Sequence, residues 1–171
     1  MEIRIINVEE LKPEMLLKFN RHQEVIQKWV KDKDEWVLKN VSEVREWSSE
    51  KKGHLMNAFG PCLENGGVFI GAFEDETLTG FVLLGEKLSG NFSKYINLSM
   101  FFVTKEKRAV GIGKKLFVFA CEVATKLGAD KLFIPAKDTM EFYSSMGCVD
   151  AEEIIEEFID TTEDYYLEYK L

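Results

Sequence analysis

Two glycines, Gly111 and Gly113, stand one residue apart, and Arg108 precedes the first by three positions. They lie in Lys105-Glu106-Lys107-Arg108-Ala109-Val110-Gly111-Ile112-Gly113-Lys114-Lys115-Leu116-Phe117. Five cations crowd this stretch (Lys105, Lys107, Arg108, Lys114, Lys115) in a chain of net charge -8. A strand-like run, Tyr95 to Val103, comes before it, and a helix-like run ending near Leu127 follows. Glycines where strand gives way to helix let backbone N–H groups come close to an anion, and the positive end of the helix dipole adds to the attraction. The chemistry this suggests is capture of a phosphate or pyrophosphate. A basic solvated turn is the competing reading; the placement of the glycines favours the cradle.

Two familiar phosphate motifs fail here. A nucleotide P-loop counted back from Gly113-Lys114 finds Arg108 where its first glycine belongs. Lys115 stands where a hydroxyl residue would hold magnesium. The dinucleotide fingerprint Gly-x-Gly-x-x-Gly fails at Leu116, and no opening βαβ unit surrounds it. With only His22 and His54, a metal cluster or a Ser-His-Asp triad has little to build on, and no metal is expected.

The elements that would position this turn can be read from periodicity. Glu2 to Asn7 alternates as a strand. Pro13 suits a first helical turn, and Met15, Leu16, Phe19, Val25, Ile26, Trp29 and Val30 predict a helix over 13–30 with a break near Asn20. One or two further helices are expected over 31–65, with Gly60-Pro61 disturbing the second. Trp29, Trp36 and Trp47 read as packing residues, or as the lining of an acceptor pocket. Val68–Phe73 and Leu78–Leu84, separated by Glu74-Asp75-Glu76-Thr77, signal a hairpin. In the next strand Ile96, Leu98, Met100 and Phe102 would share one face, with Asn97 and Ser99 on the other. Ile112, Leu116, Ala120, Val123 and Leu127 define a helix face that ends at Gly128. Lys131–Ile134 is a short strand ended by Pro135. Asp138 or Thr139 would cap a short helix carrying Met140, Phe142, Tyr143 and Met146, stopped by Gly147. Residues 165–171 predict a final strand; 150–164 stay unassigned, their acidic run a solvated face.

The 171 residues suit one domain, with no repeat or linker. The negative balance argues against nucleic acid or anionic membrane as partners and permits a cationic or amine-bearing one. Cys62, Cys121 and Cys148 are odd in number and widely spaced. A disulfide framework is not expected, and a reducing, cytoplasmic compartment is. No signal peptide or membrane span is evident.

Arg108-x-x-Gly111-x-Gly113 between a strand and a long helix resembles the signature of the GNAT superfamily, the acyl-CoA-dependent N-acyltransferases. The hairpin, strand, turn, helix and short strand follow in that family's order. Phe142-Tyr143-Ser144-Ser145-Met146-Gly147-Cys148 is similar to its Phe-Tyr-x-x-x-Gly-Phe element, with Cys148 in place of the final Phe. The likeness covers roughly 66–150. It implies an α+β fold: a central mixed, mostly antiparallel sheet of about six to seven strands flanked by helices. Residues 66–150 would be the cofactor-binding core, and 1–65 a variable helical acceptor-side region.

The resemblance also implies roles. Backbone N–H groups of Ala109, Val110, Gly111, Ile112, Gly113 and Lys114, beside Arg108, would hold the pyrophosphate of coenzyme A. The pantetheine arm would pair with Phe101, Phe102 and Val103 where two strands splay apart. A backbone N–H there would polarise the thioester carbonyl. Tyr143 is the candidate general acid for the leaving thiolate, core packing being its other reading. Asn97 and Ser99 are candidate acceptor contacts. Glu86 is a base only through water and otherwise an exposed strand residue. The family's frequent Asn before the tyrosine is Ala136 here; Asp138 would supply some of its contacts or act as a cap.

The expected activity is transfer of an acetyl group from acetyl-CoA to a primary amine on a small molecule or peptide, by direct attack. A homodimer is among the allowed assemblies. An acidic surface suits a cationic acceptor such as a polyamine or an aminoglycoside. Two alternatives stand beside it: a non-catalytic acyl-CoA-binding sensor or partner module, and, more weakly, a nucleotide phosphotransferase.

Overall fold

The computed structural model describes residues 1–136, 138–159 and 164–171; Lys137 and 160–163, part of the acidic run of the tail, lie outside the described residues. Its centre is the hairpin of β4 (Val68–Glu74) and β5 (Thr77–Ser89). Asp75 and Glu76 turn the chain with φ of 47° and 62°. Positive φ at both turn residues matches the right-handed twist of the strands they join. β1 (Glu2–Ile6) pairs with β4, and β6 (Tyr95–Val103) with β5, both antiparallel. Beyond them lie β7 (Lys131–Pro135), β9 (Tyr166–Lys170) and the two-residue β8 (Val149–Asp150). The seven-stranded order is β1-β4-β5-β6-β7-β9-β8, and only β6 and β7 run parallel. This is the α+β, mostly antiparallel sheet that the sequence predicts.

Helices cover both faces. α2 (Ile112–Lys126) buries Ile112, Leu116, Phe117, Ala120, Val123 and Ala124 against Ile70, Val82, Leu84, Ile96 and Leu98. Burying one such leucine contributes about 2 kcal/mol. Leu127, expected on that face, is 43% exposed, because the helix already ends there and Gly128 takes φ 88°. On the other face α1 (Ser49–Glu64) packs Leu55, Met56 and Phe59 against Phe69, Phe81 and Leu83. The Ser48 hydroxyl accepts from the Lys51 N–H at 3.1 Å and caps α1. Pro61 sits inside the last turn without breaking it, contrary to expectation.

Residues 13–45 depart most from the sequence reading. Pro13–Leu16 is one 3-10 turn, 17–22 are turn and irregular chain, and the last part of the expected helix is strand: β2 (Gln23–Asp32) pairs with β3 (Glu35–Arg45) as a separate antiparallel ribbon. Val25, Ile26, Trp29 and Val30 are helix-spaced by coincidence. β-branched and aromatic side chains suit an extended chain, and a ribbon solvated on much of both faces shows no clean alternation. Lys33, at φ 58°, makes the turn without a glycine to announce it. Residues 23–64, expected to be helical, are therefore a ribbon followed by one helix.

A second departure lies in β6. Its register with β5 steps from Leu84↔Leu98 to Leu83↔Met100, leaving Ser99 as an extra, bulged residue. A bulge reverses the alternation beyond it. Ile96, Leu98, Phe101 and Val103 consequently turn toward α2, while Met100 and Phe102 turn toward α1. The single face expected for Ile96 through Phe102 is split in two.

Candidate active site

β6 meets β7 only at Tyr95↔Lys131, Ile96↔Leu132 and Asn97↔Phe133. From Leu98 onward the two strands part, and Pro135, without an N–H, ends β7. A cavity of about 600 Å³ opens between them. One wall is the β6 edge, Leu98 to Val103; the opposite wall holds Pro135, Asp138, Thr139, Phe142 and Tyr143. At the end nearest α2 stand Arg108, Ala109, Gly111, Gly113 and Lys114, and the ribbon side adds Arg21, Gln23 and Arg45.

The cradle is built by backbone conformation. Ala109 at φ 60° and Gly111 at φ 89° are both left-handed, which turns the chain sharply into α2. Gly111 is the N-cap and offers no side chain to the first-turn N–H groups. Those donors have no intrahelical partner and are left for a ligand. A Cβ on Gly113 would come 3.3 Å from the Phe142 ring, so glycine lets the helix start pack closely on that ring. The side chain of Arg108 is directed elsewhere. Nε donates to Val103 O (2.9 Å), Nη1 to His22 O (2.6 Å) and Nη2 to Arg21 O (3.3 Å). Its guanidinium fastens the loop to the ribbon base.

Tyr143, on α3 (Met140–Ser145), is 4% exposed and packs near Phe101 and Phe117, with ring centroids 6.0 and 6.3 Å away. Burial, with smaller contributions from Cys148 and Asp138, pushes its hydroxyl pKa well above the ordinary tyrosine value. The phenol is therefore a proton donor throughout the neutral range. Neither Asp138 nor Thr139 caps α3 with its side chain. Asp138 Oδ2 instead lies 2.9 Å from Arg45 Nη1, an ion pair that lacks the alignment of a hydrogen bond.

Of the residues singled out in the sequence, the cavity brings together Ser99, Phe101, Phe102, Val103, Arg108, Ala109, Gly111, Gly113, Lys114 and Tyr143. Val110 is 66% exposed and Ile112 buried, both off the lining as side chains; their N–H groups remain part of the turn. Asn97 lies before the bulge, off the lining, with Oδ1 buried and without a partner. Glu86 is exposed beside Cys62, also off the lining. Sequence reasoning missed Arg21, Gln23 and Arg45, because a supposed helix gives no reason to aim them anywhere.

An uncapped helix start, an unpaired strand edge and a buried phenol around one cavity suit a long anionic thioester substrate. The Acetyltransferase (GNAT) family model matches residues 25–148. The chain belongs to this family, and as a member it is an acetyl-CoA-dependent acyltransferase. Among curated proteins no sequence matches it significantly.

Solved structures share the fold. Nourseothricin acetyltransferase is 16% identical, with 99% of this chain and 97% of that one covered and a TM-score of 0.69. A streptothricin acetyltransferase homologue from Bacillus anthracis str. Ames, solved with acetyl coenzyme A, is 17% identical, with 99% and 98% covered and a TM-score of 0.68. PaiA N-acetyltransferase from Thermoplasma acidophilum, solved with coenzyme A, is 18% identical over 100% of both chains, at a TM-score of 0.56.

Proposed function

We propose that this cavity transfers an acetyl group from acetyl-CoA to a primary amine by direct attack, without a covalent enzyme intermediate. The observation that carries the reading is the free β6 edge lying between the uncapped start of α2 and the buried hydroxyl of Tyr143. Acetyl-CoA supplies an activated thioester carbonyl. N–H groups of Ala109 to Lys114 hold its pyrophosphate, and Lys114 adds positive charge. The β6 edge at Phe101 to Val103 faces the amide-bearing arm with backbone groups other than Val103 O, which already accepts from Arg108 Nε, and an N–H of this edge stabilises the oxyanion that develops. Tyr143 returns a proton to the departing thiolate. Asp138, the one acidic side chain on the lining among the described residues, accepts the proton of the amine through water.

In this reading the chain is one N-acetyltransferase domain, with the ribbon and α1 on the acceptor side and 66–150 holding the co-substrate. Its free thiols Cys62, Cys121 and Cys148 suit a cytoplasmic setting. Among the described residues no helix is long and apolar enough to cross a membrane. The test is thiol release from acetyl-CoA across a panel of amines. Release that needs an amine and falls in Tyr143→Phe supports the enzyme. Tight CoA binding with no release from any amine favours the non-catalytic module instead.

A further inference from the structure

The ribbon side of the cavity is cationic, although the chain as a whole is acidic. Three arginines meet there, and they are not equivalent. Arg108 spends its guanidinium on three carbonyls. Arg45 is paired with Asp138 at 2.9 Å and Glu43 at 3.2 Å. Arg21 is different: its Nη1 donates to the neutral side chain of Gln23 at 2.7 Å, and no carboxylate among the described residues lies within ion-pair distance. The guanidinium rests 4.7 Å from the Phe102 ring centroid and 5.9 Å from that of Trp47. Burial, then the charge of Arg108, brings its pKa down to about 10, with Asp138 opposing and Arg45 adding to the fall. It still carries its proton at neutral pH. A half-buried cation whose nearby carboxylate, Asp138, is in contact with Arg45 instead is costly to keep in a fold, and at a cavity wall it has charge left to offer an anion.

The position of Arg21 says which substrate brings that anion. Phe102 follows the Ser99 bulge and points toward α1, whereas the cradle lies at the start of α2 on the opposite face. Arg21 is thus across the sheet from the phosphate site, on the side left for the acceptor. Its backbone is fixed on both sides. Asn20 N–H donates to Thr104 Oγ1 at 2.9 Å, and His22 O accepts from Arg108 at 2.6 Å. A guanidinium held this way presents a fork that fits carboxylate or phosphate oxygens in pairs.

We propose that Arg21 anchors an anionic oxygen group on the acceptor, so that the acceptors are amines that also bear a carboxylate or a phosphate. This rests on the acetyl-transfer reading and reverses the preference for cationic amines that the net charge suggests. A polyamine would bring like charge to three guanidinium groups.

The experiment measures thiol release with matched acceptors: an amino carboxylate, its carboxamide, an aminoalkyl phosphate and spermidine. Wild type, Arg21→Gln and Arg21→Lys are compared, and calorimetry follows CoA binding. The expected result is kcat/KM at least about tenfold higher for an anionic member than for the carboxamide or spermidine. Arg21→Gln removes that advantage by about ten- to a hundredfold, chiefly through KM, Arg21→Lys retains part of it, and CoA affinity does not change. The better of the carboxylate and phosphate arms identifies the anion. Equal use of the carboxamide, preference for spermidine, or CoA binding weakened in Arg21→Gln overturns the proposal. Should Arg21→Gln fail to fold, the wild-type comparison decides alone. Should no amine release thiol, NMR on the CoA-loaded protein with N-acetyl amino acids and their amides decides. Selective binding of the carboxylate, lost in Arg21→Lys or Arg21→Gln, upholds the anion site while the acetyl-transfer reading fails; unselective binding overturns the site.

Discussion

The guanidinium of Arg108 donates to the main-chain carbonyl of His22 across 2.6 Å, joining the cradle loop to the residue that precedes the ribbon. Two further donations, to Val103 and Arg21, make this side chain a clasp between the end of β6 and the base of the ribbon. Arg108→Ala should cost about 3 kcal/mol, since hydrogen bonds from a charged group are the stronger kind. For a chain of this length that is a fall of about 6–12 °C in Tm. Calorimetry with CoA and kinetics with the acceptor complete the check. The acceptor KM should rise more than the CoA Kd, because the fork touches the ribbon base and not the helix start. A CoA Kd that rises while Tm holds would return Arg108 to the phosphate site.

Tyr143→Phe removes one oxygen from a packed site and should leave the thermal transition nearly unchanged. As loss of a general acid it should lower kcat about 10²–10⁴-fold. Burial raises the pKa of this phenol, so its protonated form dominates in the folded protein up to the ordinary tyrosine range and beyond. The wild-type kcat–pH profile should accordingly show no alkaline fall assignable to Tyr143 below about pH 10. The same shift favours folding fully below that pH, and the advantage fades as pH rises through the folded-state value.

Gly113→Ala places a methyl 3.3 Å from the Phe142 ring, on the cavity side of the first turn of α2. The ring must shift by a few tenths of an ångström. The predicted outcome is a folded protein whose CoA Kd is raised about tenfold, equivalent to roughly 1.4 kcal/mol. Gly111→Ala meets open space, yet sits at φ 89°. Its cost should appear as about 1 kcal/mol of stability in urea melts.

Lys131 of β7 and Glu168 of β9 form a part-buried ion pair at 2.7 Å, and Tyr95 donates to the same carboxylate at 2.6 Å. Burial alone would raise the pKa of Glu168. Lys131, Tyr95 and the Glu152 N–H outweigh it and hold the carboxyl below its usual range. Its contribution to stability is then present above about pH 4 and lost as pH falls through the folded-state value. Lys131→Met strands the carboxylate and should cost about 3 kcal/mol at pH 7. Urea titrations of wild type and variant should converge as pH falls through the folded-state value and the carboxyl takes up its proton.

Much of this arrangement was legible in the sequence because it rests on local rules. The β4–β5 hairpin, the glycine turn and Gly128 each follow from short-range steric demands written into a few residues. The ribbon was not legible, since neither of its faces is cleanly apolar and Lys33 turns it without glycine. The Ser99 bulge was equally silent: one extra residue in β6 leaves no mark on composition, yet it turns Phe102, and with it the guanidinium of Arg21, to the α1 face of the sheet. Asn97 was grouped with Ser99 by alternation, and the same bulge separates them.

The parting of β6 from β7 has a mechanical meaning. The sheet is seven strands wide, but beyond the Tyr95–Asn97 contact it is two plates joined at one corner. A chain-like substrate lying along Leu98–Val103 would act as an eighth strand, made of another molecule and renewed at every turnover. Such a protein is stiffest when loaded. Amide exchange along the open edge, and the melting temperature with it, should report the concentration of acyl donor by mass action.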